Sequence, residues 1–398
     1  MEHVWFTAAI WLGLALVATL IAIWLKISVA LIEISIGAVA QLILGNTLGL
    51  GILDPQASWV TFLAGVGAIA LTFLAGAELE PKAFKSFWKE ATLIGLLSFG
   101  APFLIAAGIS HWVLGWDVRA SWLAGVALST TSVAVVYAVM LELGLNRTHF
   151  GKAILAACFV TDLGTVLALG FIFTPFTIKT GLFVIIFALS VPILLLATRP
   201  FFKKYGRRPS ELEAKYILFA LFVLGGLAAW SGSEAVLPAY LIGMMLAGVV
   251  GTNHHLVRRL RTMTFGLLTP FYFIRAGSLV QLSAIGSAIV VFVILFMSKI
   301  IAKFGGVFFL ARKLGHSRGE AMYVTLLMST GLTFGTISAL YGLSHEIINQ
   351  EQYSLLVGAV IASAVIPTWI ANRWFMPHHH LPKGRGAEDA AALATEDE

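Results

Sequence analysis

The chain has 398 residues, of which 59% are apolar and only 12% charged, with a mean hydropathy of +0.91. A soluble globular chain carries about 25% charged residues, and apolar runs of about 18 residues or more recur here from end to end. Together these exclude a soluble multidomain protein and imply a polytopic membrane protein, while the lone Cys158 excludes an intramolecular disulfide and a cysteine-based metal framework.

The pattern predicts thirteen helical spans, over residues 4–25, 28–45, 58–77, 91–113, 119–141, 150–173, 181–198, 215–231, 235–251, 262–280, 289–311, 320–342 and 353–373. The N-terminal MEHVWFTAAIWLGLALVATLIAIWLK lacks a basic n-region and an A-x-A site, so it reads as the first span rather than a cleaved signal peptide. Glu33 in span 2 and Glu78 at the end of span 3 either line an inner funnel or sit in the interface.

Span 5 contains LSTTSV at 128–133, and span 12 contains MSTGLT at 328–333. Thr130, Thr131 and Ser132, and likewise Ser329, Thr330, Gly331 and Thr333, supply hydroxyls and a glycine where regular helix is easily interrupted. Unwound backbone at membrane depth is tolerated where it lines a cavity, and there half-helix ends can meet an ion. The plainer alternative is that these hydroxyls bond back to their own helix or pack between helices.

Asp162 in span 6 lies 12 residues from Phe150, about 18 Å along a helix rising 1.5 Å per residue. That depth is near the midplane of a hydrocarbon core about 30 Å thick. A carboxylate there costs about 2.5–3.5 kcal/mol on insertion scales and marks a functional site by default. It can hold a proton or a small monovalent cation but not both comfortably, which is the minimum chemistry of cation/proton exchange. Thr161 precedes it, and Cys158 lies one turn before it on the same face. The alternative is a permanent salt bridge to a buried base.

Three bases fall within later spans: Arg275 in span 10, and Lys299 and Lys303 in span 11. The two lysines are four apart and share a helix face. Lys303 either serves the site or snorkels to the inner interface. Arg275 is stiffer, always charged and suited to a structural role. The tail's His378, His379 and His380 read as solvated, or as a weak metal site, and His254 and His255 are similar. No zinc-protease, Walker A or dinucleotide motif stands in a supporting context, so neither an enzyme nor a cofactor is expected.

With the N-terminus outside and loops alternating, 21 of the 26 basic residues fall in inner loops and two, Arg119 and Lys179, outside. This asymmetry supports thirteen spans with a cytoplasmic C-terminus. It also makes the net charge of +6 a topology signal rather than a nucleic-acid patch. Thirteen spans divide as two six-helix repeats around a linker helix, and an odd offset of seven makes the repeats antiparallel. LTFLAGAEL (71–79) answers FYFIRAGSL (271–279) and LSTTSV answers MSTGLT, both pairs 200 residues apart.

Five segments carry a resemblance: FLAGAELEP at 73–81, LSTTSVAVVYAVMLELG at 128–144, ACFVTDLGTVLALG at 157–170, KFGGV at 303–307 and GEAMYVTLLMSTGLTFG at 319–335. In this order and spacing the chain resembles the Kef-type, NapA-like branch of the monovalent cation:proton antiporter superfamily, that is, the sodium/hydrogen exchangers, over nearly all of 5–373. The resemblance implies an all-α domain (1–373) with two crossed broken helices, and a tail at 374–398. It implies a core of spans 4–6 and 11–13 moving against a scaffold of about 4–77 and 215–280, linked by the helix at about 181–198. It further implies Asp162 as the ion carboxylate, Lys303 or less securely Lys299 as the span-11 base, and Glu78 as an acid near the ion. The resemblance carries no role over to Arg275 in span 10. Electrogenic relatives carry two adjacent acids where this chain has Thr161-Asp162, so electroneutral 1:1 exchange of Na+ or K+ for H+ is expected. A homodimer in a bacterial inner membrane is expected as well. The alternatives are an ion-coupled solute symporter or a channel-like cation pathway on the same scaffold, and a non-transporting receptor.

Overall fold

The computed structural model describes residues 2–25, 28–47, 53–77, 81–143, 145, 148–174, 177–206, 210–233, 235–377 and 380. Among them all regular structure is helical. In chain order the first half runs α1 (Glu2–Leu25), α2 (Val29–Ala40), α3 (Ser58–Ala77), α4 (Pro81–Trp112), α5 (Val118–Ser129), α6 (Val133–Glu142) and α7 (His149–Phe173). Next come α8 (Ile178–Tyr205), α9 (Leu212–Trp230), α10 (Val236–Leu246), α11 (His254–Met263), α12 (Thr269–Ser278) and α13 (Leu282–Ser287). The chain closes with α14 (Ile289–Lys303), α15 (Phe309–Lys313), α16 (Arg318–Met328), α17 (Thr333–Ser344) and α18 (Gln350–Trp374). π-helical turns extend α2 over Gln41–Thr47, precede α12 over Thr264–Leu268 and join α14 to α15 over Phe304–Phe308.

Among the described residues ten helices are long and apolar enough to cross a membrane, and two shorter apolar helices, Val29–Leu44 and Val236–Leu246, accompany them. The chain is a multi-pass membrane protein. Several bounds depart from the predicted spans: α8 runs to Tyr205, seven residues past 198, and α10 ends at Leu246, five residues before 251. α4 begins at Pro81, ten residues before the predicted start at 91. The predicted span 262–280 is a π turn followed by α12, and the basic amphipathic α11 precedes it and ends at Met263. α11 buries Leu256 and Leu260 and turns arginines outward.

Polar caps close the helices at the loop ends. Asp117 accepts from the Arg119 amide, Thr148 from the Gly151 amide, and Ser317 with Glu320 forms a capping box on α16. Such caps satisfy amides that the first turn leaves without partners.

The helices pack as two groups. In one, α4 lies against α5, α7 and α14, and α18 against α14 and α17. In the other, α3 packs on α10, and α12 on α2 and α3. The α3–α10 contact is backbone to backbone: a side chain at Gly76 would strike the Tyr240 carbonyl, and one at Gly243 the Phe73 carbonyl. Glycine at both positions lets the two helices meet closely enough to act as one unit.

Candidate functional site

Both hydroxyl-rich segments are broken helices. α5 ends at Ser129 and α6 resumes at Val133, with Thr130 extended between them. α16 ends at Met328 and α17 resumes at Thr333, with no side-chain cap on its first turn. α17 runs back along α5, Gly335 lying beside Ala127 and Gly342 beside Leu123. The breaks cross and bond to each other: the Ser132 amide donates to the Thr330 carbonyl at 3.0 Å, and Thr131 Oγ1 donates to the Met328 carbonyl at 2.8 Å. Each broken segment thus lends the other a partner for backbone freed by the interruption. The plainer reading of the hydroxyls holds at the same time. Thr130 bonds back to Ala127, Ser329 to Thr325 and Thr330 to Leu327, leaving lone pairs, not donors, to face the crossing.

Lys303 enters from the last turn of α14. Its amine is fully buried, which overturns the snorkelling alternative. It donates to Ser98 Oγ at 2.7 Å, the Ser129 carbonyl at 2.9 Å and Thr131 Oγ1 at 3.0 Å. Three acceptors match the three donors of an ammonium, and one of them is the C-terminal end of α5, where the helix dipole favours a cation. Lys299, one turn earlier, is also fully buried, and its Nζ has no hydrogen-bond partner. It occupies the place a side chain at Gly331 would take; Thr130 Oγ1 is 2.8 Å and Ser363 Oγ 3.3 Å from that point.

Asp162 sits mid-way along α7 and is 1% exposed. Its Oδ1 is buried without a hydrogen-bond partner, and no ion pair to it occurs among the described residues. Lys303 is within Coulombic reach but spends its donors on the broken helix, so the permanent salt bridge is not formed. An isolated buried carboxylate is stable only when neutralised, so this arrangement calls for a proton or a cation on Asp162. Thr161 Oγ1 donates to the Ala157 carbonyl at 3.1 Å and reaches the Gly95 carbonyl of α4 at 3.3 Å, which ties α7 to α4 beside the acid.

Other predicted residues lie elsewhere. Arg275 donates from Nε to the Pro55 carbonyl at 2.8 Å and neighbours Tyr272 and Tyr353. It is not a charge partner of Asp162, because span depth alone does not bring two helices together. Glu33 is buried within α2 at 3% exposure, so it lines no open funnel. Glu78 lies outside the described residues, as do His378 and His379. His380 is not simply solvated: it pairs with Glu320 Oε1 at 2.6 Å and stacks on Phe150. The sequence reading missed Ser98, Ser363 and Tyr240, whose hydroxyls stand singly in apolar runs with no spacing to mark them.

A carboxylate, two buried amines and a crossing of broken helices thus meet in one region of the fold. The model of the family described as sodium/hydrogen exchanger, transmembrane, matches residues 12–375. The chain belongs to the sodium/hydrogen exchanger family. Among its relatives, a probable Na+/H+ antiporter 3 of Methanocaldococcus jannaschii is 26% identical, over 85% of this chain and 89% of that protein. The Na+/H+ antiporter of Enterococcus hirae is 25% identical, over 82% of this chain and 88% of that one. The match to the putative Na+/H+ antiporter YjbQ of Bacillus subtilis, at 24% identity, covers 86% of this chain but only 58% of that protein. In fold, this exchanger-family chain is similar to the sodium proton antiporter MjNhaP1 of Methanocaldococcus jannaschii, with a TM-score of 0.64 at 15% identity over 93% of this chain and 97% of that one. Membership agrees with the resemblance carried by the five sequence segments.

Proposed function

We propose that this protein is a secondary antiporter that exchanges Na+ or K+ for H+ at Asp162. The observation that carries the proposal is a buried mid-helix carboxylate with a partnerless oxygen, set beside two interrupted helices. Proton and cation compete for that oxygen, and each leaves only when the other can replace it or when water reaches it. Relatives named as Na+/H+ antiporters support Na+ and H+ as the exchanged ions.

The two packed groups suggest how the site is exposed in turn. The group of α4–α7 and α14–α18 is the moving core, and that of α1–α3 and α9–α12 is the scaffold, with α8 as the linker. Thr161 cannot take a second proton, and Lys303 keeps its ammonium partners through the cycle, so exchange is electroneutral and 1:1. The scaffold pairs two copies in a bacterial inner membrane, with the C-terminus cytoplasmic. An organic-solute symporter would need more room at the crossing than Gly331, Thr130 and Ser363 leave.

The test is proton flux in proteoliposomes after addition of Na+, K+ or Li+. Cation-dependent alkalinisation or acidification following the cation gradient supports antiport. Proton movement indifferent to every cation, or cation flux with no counter-moving proton, rejects it.

A further inference from the structure

A polar side chain from the other group of helices reaches the middle of α7, which carries Asp162. Tyr240 of α10 is fully buried, and its hydroxyl donates to the backbone carbonyl of Phe159 at 3.0 Å. Phe159 precedes Asp162 by three residues, about 4.5 Å along the helix axis. The Tyr240 ring meets Phe334, in the first turn of α17, edge to face with centroids 5.6 Å apart. The phenol is within Coulombic reach of both Asp162 and Cys158. Tyr240 therefore touches the helix that carries the acid and the helix that leaves the second break. Its own backbone is fixed against α3 through Gly76 and Gly243. The carbonyl it uses lies in mid-helix, so its bond can part without unwinding α7.

We infer that Tyr240 is a gating and positioning residue: tethered to Phe159 and wedged against Phe334, it closes Asp162 from water, and both contacts part before the carboxylate exchanges ions. The inference rests on the reading of Asp162 as the exchange site and adds a residue on the stationary side of the movement.

Cys158 is the chain's single cysteine, fully buried and one turn before Asp162. Its alkylation by N-ethylmaleimide therefore reports opening at this level independently of transport. In the full chain in proteoliposomes, Tyr240→Ala removes ring and hydroxyl and speeds alkylation about tenfold or more over wild type. Tyr240→Phe keeps the ring and loses one buried hydrogen bond, which speeds it about fivefold. The same variant lowers the apparent cation KM by up to about fivefold with kcat retained, because more of the protein is in the open form. Packing damage would instead raise KM and lower kcat. Wild-type alkylation rates in both variants, or a KM raised by Tyr240→Phe, overturn the inference. If the wild type moved no cation the antiport reading would fall, and the alkylation rates would still decide whether Tyr240 closes the site.

Discussion

At Asp162 and Lys303 the deciding physics is how each buried charge finds, or lacks, a partner. Lys303 has three acceptors, and Asp162 has an oxygen with none. Lys303→Ala would leave the Ser129 carbonyl short of a donor at the end of α5, costing about 1–3 kcal/mol. A lowered thermal midpoint in detergent should show this, and an unchanged midpoint would mean the amine contributes nothing to the crossing. Lys303→Arg is not a repair, since a planar fork cannot meet three converging acceptors as an ammonium does. Gly331 is constrained differently, because the Lys299 amine fills the space its side chain would need. Gly331→Ala should therefore cost about 1–3 kcal/mol by overpacking, and pairing it with Lys299→Ala should recover most of the loss. Two penalties that simply add would show that the amine and the glycine do not share that space. Asp162 was legible in the sequence because a lone acid in an apolar run is costly and conspicuous. Ser98 was not, because one serine in an apolar helix costs little and signals nothing.

Among the elements, the two breaks were legible because hydroxyls and a glycine cluster at one offset in both halves. The early start of α4 and the helicity of α11 were not. Their charged, amphipathic turns lie outside the apolar pattern by which spans are read. A further element joins the loops at one end of the bundle. His316, in the turn before α16, holds Glu90 Oε1 of α4 at 2.9 Å, and Phe150 packs against both His316 and His380. Hydrogen bonding to Glu90 raises the pKa of His316 above its ordinary value, with the charges of Glu90 and Glu320 acting in the same sense and burial opposing them. A raised histidine pKa means the fold favours the protonated ring. Its stabilisation is complete below the ordinary value of about 6.5 and is lost as pH climbs through the raised one. Wild type should thus exceed His316→Gln by about 0.5–1 kcal/mol in mild acid, the scale of a partly exposed ion pair. Thermal midpoints measured across pH should show that gap closing in alkali; a gap that widens with pH would contradict the assignment.

For the whole molecule, the alternation of basic loops anticipated which helix ends lie together. Glu90, Phe150, His316, Glu320 and His380 come from segments assigned to one side, and they meet. Tyr353 bonds to the Ala276 carbonyl and the Gln281 amide to Ser354, all from ends assigned to the other side. Charge placement is written in the sequence one loop at a time, whereas the partner of Arg275 depends on how α12 lies against the loop at Pro55, which no local pattern encodes. The proposed 1:1 stoichiometry belongs to this scale too, since moving a net charge would contribute about 2.3 kcal/mol per 100 mV. Transport under matched ion gradients should be indifferent to a potassium–valinomycin potential, and a strong voltage dependence would show that Lys303 or Lys299 also releases a proton. The central claim, competition of proton and cation for one carboxylate, is tested most directly by titrating Na+ or K+ into weakly buffered, detergent-solubilised protein. The account predicts that wild type releases about one proton per cation bound and that Asp162→Asn releases none. Equal proton release from both proteins would contradict it.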